Sequence, residues 1–217
     1  MFVKRILKKV YYFICDRKYV RNRKLMLNKN GKKIFQEFIE IANRNKLSVW
    51  LCYGTLLGFI RENGLMKHDD DFDVGCWYKS YSKDFEQDLI NNGFFLEHQF
   101  KADEGYSAFE QTFVKNGVYI DIFYHYEDEK TIWTHVFHRE KNDNLPENVW
   151  RVRKLDFTKS DFKSVDFIGT KVLIPENSEQ YLVETYGENW RIPDKNYDWR
   201  KGPRKDSILP GIYGRMF

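Results

Sequence analysis

Hydrophobic positions along this chain follow two rhythms, one helical and one alternating. Ile34, Phe35, Phe38, Ile39 and Ala42 recur at helical spacing and predict a helix. Residues 47–54, LSVWLCYG, are apolar and rich in strand formers, and predict a strand ending at Gly54. A short helix or turn is expected over 55–62, with Gly64 marking the loop after it. Between Asp70 and Tyr78 the period drops to two. Phe72, Val74 and Cys76 then project to one side, and Asp71, Asp73 and Gly75 to the other. Ser82 is placed to cap a helix that Gly93 stops. Strand-like runs follow at 94–101, 107–115, 117–125, 131–138, 150–157 and 163–174, then a helix between Pro175 and Gly187. The tail from 188, rich in Trp, Tyr, Lys, Arg and Pro, is expected to wrap the surface as loops. This order predicts an α+β fold: a mixed sheet with helices packed mainly on one face.

The alternation matters because of what it aligns. Asp71 and Asp73 point the same way from one strand, their Cβ atoms on the order of 6–7 Å apart. That is too far to share a proton and suited to joint binding of Mg²⁺ or Mn²⁺, which take oxygen ligands near 2.1 Å. A third carboxylate comes from GVYIDIFYHY. There Val118, Ile120, Ile122 and Tyr124 take the core face, and Asp121 faces the other way between Tyr119 and Phe123. Gly54 and Thr55 stand where a strand turns into a helix, an arrangement whose unpaired N–H groups bind phosphate oxygens. Solvated acids, or an Asp121 paired with a nearby Lys or Arg, are the plainer readings of the same residues.

Charge changes the picture at one end only. Residues 1–33 hold 12 Lys or Arg against one acid, Asp16, while the rest of the chain holds 24 against 31. The chain is accordingly divided into a basic amphipathic N-terminal arm, 1–32, and a catalytic body, 33–217. In the arm Val3, Ile6, Leu7, Val10 and Ile14 fall at helical spacing beside Lys4, Arg5, Lys8 and Lys9. Such a helix, over residues 1–25, suits an anionic membrane surface; one packed on its own domain or between protomers fits the same residues. Its uncharged run Val10–Cys15 is too short to span a bilayer, and no signal-peptide pattern is present. An acidic body without a nucleic-acid fold signature argues against a nucleic-acid partner. Cys15, Cys52 and Cys76 form no C-x-x-C pair and suit reduced thiols in a cytoplasmic protein. His135 and His138 are expected as a surface pair rather than metal ligands.

Residues 53–75, with YIDIF at 119–123 and IPENSEQYLVETYGENW at 174–190, resemble the LicD family, which includes the fukutin-type proteins. The matching pattern is Gly54, Thr55, Leu56, Leu57, Gly58, Arg61 and Gly64, followed by Asp69, Asp70, Asp71, Phe72 and Asp73. The resemblance spans roughly 33–193. One departure is Lys67-His68, where many members have Pro-Trp. The resemblance implies a nucleotidyltransferase-like fold. It also implies transfer of phosphocholine or an alditol phosphate from a CDP-linked donor to a sugar hydroxyl of a cell-surface or lipid-linked glycan, with release of CMP. Asp71, Asp73 and Asp121 would then hold the metal, with Asp121 accepting the acceptor's proton. Gly54, Thr55, Arg61 and Asp70 would attend the donor phosphates, and the basic arm would set the enzyme at the inner membrane face. Two alternatives stand beside this reading: a D-x-D glycosyltransferase using a nucleotide sugar, and an inactive membrane-associated scaffold.

Overall fold

Alternation over residues 71–74 and 118–122 builds the centre of the molecule. In the computed structural model the side chains of Phe72, Val74 and Cys76, and of Ile120, Ile122 and Tyr124, are wholly buried. Residues 2–102, 108–140, 143–203 and 207–217 are described, with side chains from Lys18 onward except that of Lys201. The amphipathic face expected from Val3 to Ile14, and Cys15, lie outside the described side chains.

The chain begins with helix α1 (Phe2–Arg44), which runs without a break through residue 33. Then come β1 (Val49–Leu51), α2 (Tyr53–Glu62), β2 (Asp71–Trp77), α3 (Lys83–Asn91), β3 (Phe95–Ala102), β4 (Phe109–Lys115) and β5 (Val118–Glu127). The second half holds β6 (Thr131–His138), β7 (Val149–Thr158), β8 (Phe162–Phe167), β9 (Thr170–Pro175), α4 (Ser178–Tyr186) and β10 (Ile208–Met216). The described strands form one mixed sheet, ordered β4-β3-β10-β7-β6-β5-β2-β1-β9-β8. Because β4 also pairs with β5, the six strands β5-β4-β3-β10-β7-β6 close into a ring, and the other four fan out beyond β5. β2 and β5 run parallel, with Asp73 opposite Asp121. Their parallel course leaves room for the α3–β4 stretch between them.

The two faces of the β2–β5 pair are covered by different helices. Phe35 of α1 meets Phe72 at 4.5 Å between ring centres, and Phe38 meets Phe85 of α3 at 6.1 Å. On the opposite face Tyr53 of α2 meets Phe123 at 4.7 Å and Tyr181 of α4 at 6.2 Å. The expectation of helices mainly on one face is thereby corrected: α1 and α3 take the apolar face, while α2 and α4 flank the face that carries the acids. Ser82 caps α3 as expected, its Oγ accepting the Phe85 N–H at 3.2 Å.

Two further expectations change. The tail is not loop throughout, since Ile208–Met216 forms β10 between β3 and β7. Pro210, Gly211 and Gly214 read as loop residues, yet the strand is accommodated by a register shift between Ile208 and Tyr213. His135 and His138 lie on β6, but both are buried rather than at the surface. A second small core of Phe100, Ala102, Phe137 and Val152 is enclosed by strands of the ring. Phe137 packs so close to Gly214 that a Cβ there would come within 2.2 Å of its ring.

Candidate active site

Asp73 is the best-anchored of the acids. β1 ends at Leu51, Cys52 stays extended, and Tyr53 then takes φ 42° to turn the chain into α2. That turn aims the Gly54 N–H at Asp73 Oδ2, which accepts it at 2.8 Å. The Asp73 N–H in return donates to Thr55 Oγ1 at 2.8 Å. A Cβ at position 54 would lie 2.9 Å from the same carboxylate oxygen, so glycine permits the approach. Thr55 is 1% exposed. Gly54 and Thr55, expected to cradle phosphate, both bond Asp73 and fix it in place.

Asp121 stands opposite Asp73 on β5 and opposite Thr112 on β4. Thr112 Oγ1 donates to Asp121 Oδ1 at 2.6 Å, and His98 Nε2 lies 3.0 Å from the same hydroxyl oxygen. At the near end of β2, Asp71 Oδ2 accepts from Arg23 Nη2 at 2.7 Å. Arg23 Nε pairs with Asp70 Oδ2 at 3.1 Å, and its guanidinium lies 3.9 Å from the Tyr119 ring centre. The Tyr19 hydroxyl donates to the Tyr119 hydroxyl at 3.1 Å. Asp69 closes the preceding turn, its Oδ2 accepting the Met66 N–H at 2.7 Å.

Burial and crowding hold these carboxyls far from their ordinary range. Asp71 is pushed up to about 8, first by burial and then by the charges of Asp121 and Asp70, with Arg23 opposing. Asp73 is raised well above the usual range by burial, then by Asp71 and Asp121, while the Gly54 N–H works the other way. Burial also raises Asp121, against the Thr112 hydrogen bond and the Arg23 charge. Burial lifts Asp69 to about 7. Ionising all of these carboxyls would place more negative charge on the face than one guanidinium offsets, so without a further cation they hold protons. That imbalance, and all-oxygen donors, suit a hard divalent cation. The arrangement does not yet close around one: among the described residues no three Asp, Glu, His or Cys side chains converge as a metal site, and Arg23 sits on Asp71.

Each expected site residue has a definite place. Asp71, Asp73 and Asp121 share one face, and Asp70 joins them through Arg23. Arg61 does not: its guanidinium bonds Glu62 at 3.1 Å and the Trp190 carbonyl at 3.5 Å, tying the end of α2 to the segment after α4. The guanidinium at the carboxylates belongs to Arg23, which lies 48 residues before Asp71 and carried no local signal. Thr112 and His98 were likewise missed. Clefts of about 370 Å³ beside Phe157 and Glu184, and about 340 Å³ beside Ile39 and Leu173, are lined by none of these residues.

A family described as LicD/FKTN/FKRP, nucleotidyltransferase domain, matches residues 46–177, and the chain belongs to that family. The matched stretch contains Gly54, Thr55, His98, Thr112 and all the aspartates of the site; Arg23 lies outside it. Ribitol-5-phosphate transferase FKTN of Homo sapiens is 27% identical over 176 residues, 81% of this chain and 36% of that protein. The Mus musculus counterpart is 28% identical over 180 residues, 82% and 37% of the two chains. An uncharacterised protein of Rickettsia prowazekii is 26% identical over 160 residues, 70% of this chain and 56% of that one. The chain thus spans little more than a third of the FKTN proteins it matches.

Proposed function

We propose that this protein transfers a phosphorylated alcohol, phosphocholine or an alditol phosphate, from a CDP-linked donor to a sugar hydroxyl of a glycan, releasing CMP. The observation that carries the reading is the alignment of Asp71, Asp73 and Asp121 on one half-buried face of a LicD/FKTN/FKRP chain. The relatives named as ribitol-5-phosphate transferases put ribitol phosphate first among the groups to test. The family's nucleotidyltransferase description supports the corresponding fold for this chain.

In the proposed reaction the acceptor oxygen attacks the transferred phosphorus as the P–O bond to CMP breaks. The acceptor's proton passes to Asp121, and CMP leaves with the bonding pair. Gly54 and Thr55 hold Asp73 in place, and Thr112 holds Asp121. Arg23 lies where a donor fork beside the phosphates is useful. Mg²⁺ or Mn²⁺, held by Asp71, Asp73 and Asp121, would neutralise charge on the attacking and leaving oxygens.

Placement at a membrane is part of the same proposal. Lys18 and Arg21 are exposed on α1 beside Tyr19, Val20 and Leu25, which are 50%, 40% and 51% exposed. That mixture suits an anionic lipid surface, where each basic residue adds about 1 kcal/mol. Among the described residues no helix is long and apolar enough to cross a membrane. Vesicle binding that is unchanged when residues 1–25 are removed would refute the role given to the amphipathic segment.

The reaction is tested by thermal shift with Mg²⁺ and CDP-ribitol, CDP-glycerol, CDP-choline or UDP-sugars, using Asp73→Asn as control. Stabilisation by a CDP-linked donor that needs both metal and Asp73 is expected. Stabilisation by UDP-sugars alone would make the protein a glycosyltransferase, and no response to any donor would favour a scaffold.

A further inference from the structure

One line of register-paired residues crosses four neighbouring strands: His98 on β3, Thr112 on β4, Asp121 on β5 and Asp73 on β2. Hydrogen bonds follow that line. Thr112 Oγ1 donates to Asp121 Oδ1 at 2.6 Å, and a hydroxyl has one proton to give. It can therefore only accept from His98 Nε2, 3.0 Å away. With Asp121 ionised, as a proton acceptor must be, the chain has one polarity, Nε2–H to Oγ1 and O–H to Oδ1, and it ends on a carboxylate oxygen. It also fixes the imidazole tautomer, with hydrogen on Nε2.

A defect in the sheet puts His98 there. Phe95 pairs with Val114 and Leu96 with Phe113, a register that would set Glu97 opposite Thr112. The ladder slips between Leu96 and His98, and His98 takes that position instead. Bulges re-aim side chains in this way beside functional sites. Here the slip replaces a carboxylate, which could only accept, with an imidazole N–H that donates. The ring also packs on Phe100, 5.1 Å between centres, which limits its rotation. Thr112, 2% exposed, is closed to solvent and to competing partners.

We infer that His98 and Thr112 are positioning residues for Asp121: His98 orients the Thr112 hydroxyl, which fixes Oδ1 and leaves the other carboxylate oxygen outside the chain for the reacting hydroxyl. This rests on the proposed transfer reaction for its catalytic meaning, but the hydrogen-bond chain is testable without it. Partners that orient a catalytic group from behind typically cost about 10–100-fold when removed.

The experiment pairs kinetics with ¹⁵N NMR of the histidines. With the CDP-linked donor found active, Thr112→Val should lower kcat by about 10–100-fold and leave the donor KM within about twofold. Thr112→Ser should restore most of it. His98→Phe should lower kcat, and His98→Gln, which keeps an N–H donor, should recover part. In the wild type the His98 ring should carry hydrogen on Nε2 with Nδ1 bare, and Thr112→Val should abolish that preference. An Nδ1–H tautomer in the wild type, or a kcat unmoved by Thr112→Val in a folded variant, would overturn the inference. Absence of turnover with every CDP-linked donor would instead defeat the reaction proposed above, and the tautomer measurement would still decide the hydrogen-bond chain.

Discussion

Asp71 and Asp121 lie on the same face of adjoining strands, yet they are held by opposite means. Asp71 meets a full charge, the Arg23 guanidinium, delivered by a helix outside the family-matched segment. Asp121 meets a neutral hydroxyl backed by an imidazole, all within the sheet. A charge partner stabilises an anion strongly, but any other cation can replace it. A hydroxyl chain is weaker and directional, and leaves the carboxylate able to accept a proton. The Asp71 end is therefore suited to exchanging one cation for another, and the Asp121 end to holding one oxygen still.

The largest effect should come from breaking the Asp121 end itself. Asp121→Asn keeps the shape and removes both the proposed base and a proposed ligand of the cation, so turnover with a CDP-linked donor should fall by about 10²–10⁴-fold. Asp121→Asn that keeps near wild-type kcat would end the assignment of Asp121 as proton acceptor. A comparable loss in Asp71→Asn would not, since that residue is proposed to hold the cation without taking the proton.

At the other end, Arg23→Gln removes the charge and leaves Asp71 half-buried without its partner. Without added cation this should destabilise the protein by roughly 1.5–3 kcal/mol in chemical denaturation. Added Mn²⁺ should shrink that loss if a divalent cation takes the place of the guanidinium at Asp71. A loss that Mn²⁺ leaves unchanged would mean that Arg23 and the cation do not share Asp71.

The same comparison sets the pH dependence. Asp71 is raised to about 8 and Asp69 to about 7, both above the value of about 4 for an unfolded aspartate. The folded protein thus retains protons that the unfolded chain releases. Stability from these groups is complete below about pH 4 and is lost as pH rises through 7 to 8. Thermal unfolding without metal should show Tm falling from pH 5 to pH 8. Asp71→Asn should flatten that slope, and a Tm that climbs over this range would contradict the shifts.

Much of the acid face was legible because alternation is a local property. Phe72 and Val74 fix which side Asp71 and Asp73 take, and Ile120 and Ile122 do the same for Asp121. The partners were illegible for a common reason: each depends on pairing between distant segments. Arg23 reaches Asp71 only because α1 crosses the sheet at that height, with Leu27 and Gly31 packed down beside Phe72. His98 faces Thr112 only because β3 slips by one residue, and no local pattern around Glu97 announces the slip. The tail strand is similar: Pro210 and Gly211 suggest loop, and β3 and β7 supply a slot that overrides them. Gly54 and Thr55 stood at the expected turn, but their hydrogen bonds go to Asp73, a choice set by how β1 and β2 pair.

The smallest test concerns what keeps Arg23 in place once its charge partner is set aside. The Tyr119 ring lies 3.9 Å beneath the guanidinium, and Tyr19 touches the same ring edge-on. Cation–π contacts at half-exposed positions contribute about 0.5–1 kcal/mol, and a single exposed hydroxyl contact less. Tyr119→Leu should therefore cost about 0.5–1 kcal/mol on top of any packing change, whereas Tyr119→Phe, which keeps the ring and loses the Tyr19 hydrogen bond, should cost less. Arg23→Gln removes the guanidinium from above the ring, so in that background Tyr119→Leu and Tyr119→Phe should converge. A double-mutant cycle by denaturant unfolding measures that convergence. If Tyr119→Leu costs the same with and without Arg23, the ring is packing only, and the Asp71 end is held by charge alone.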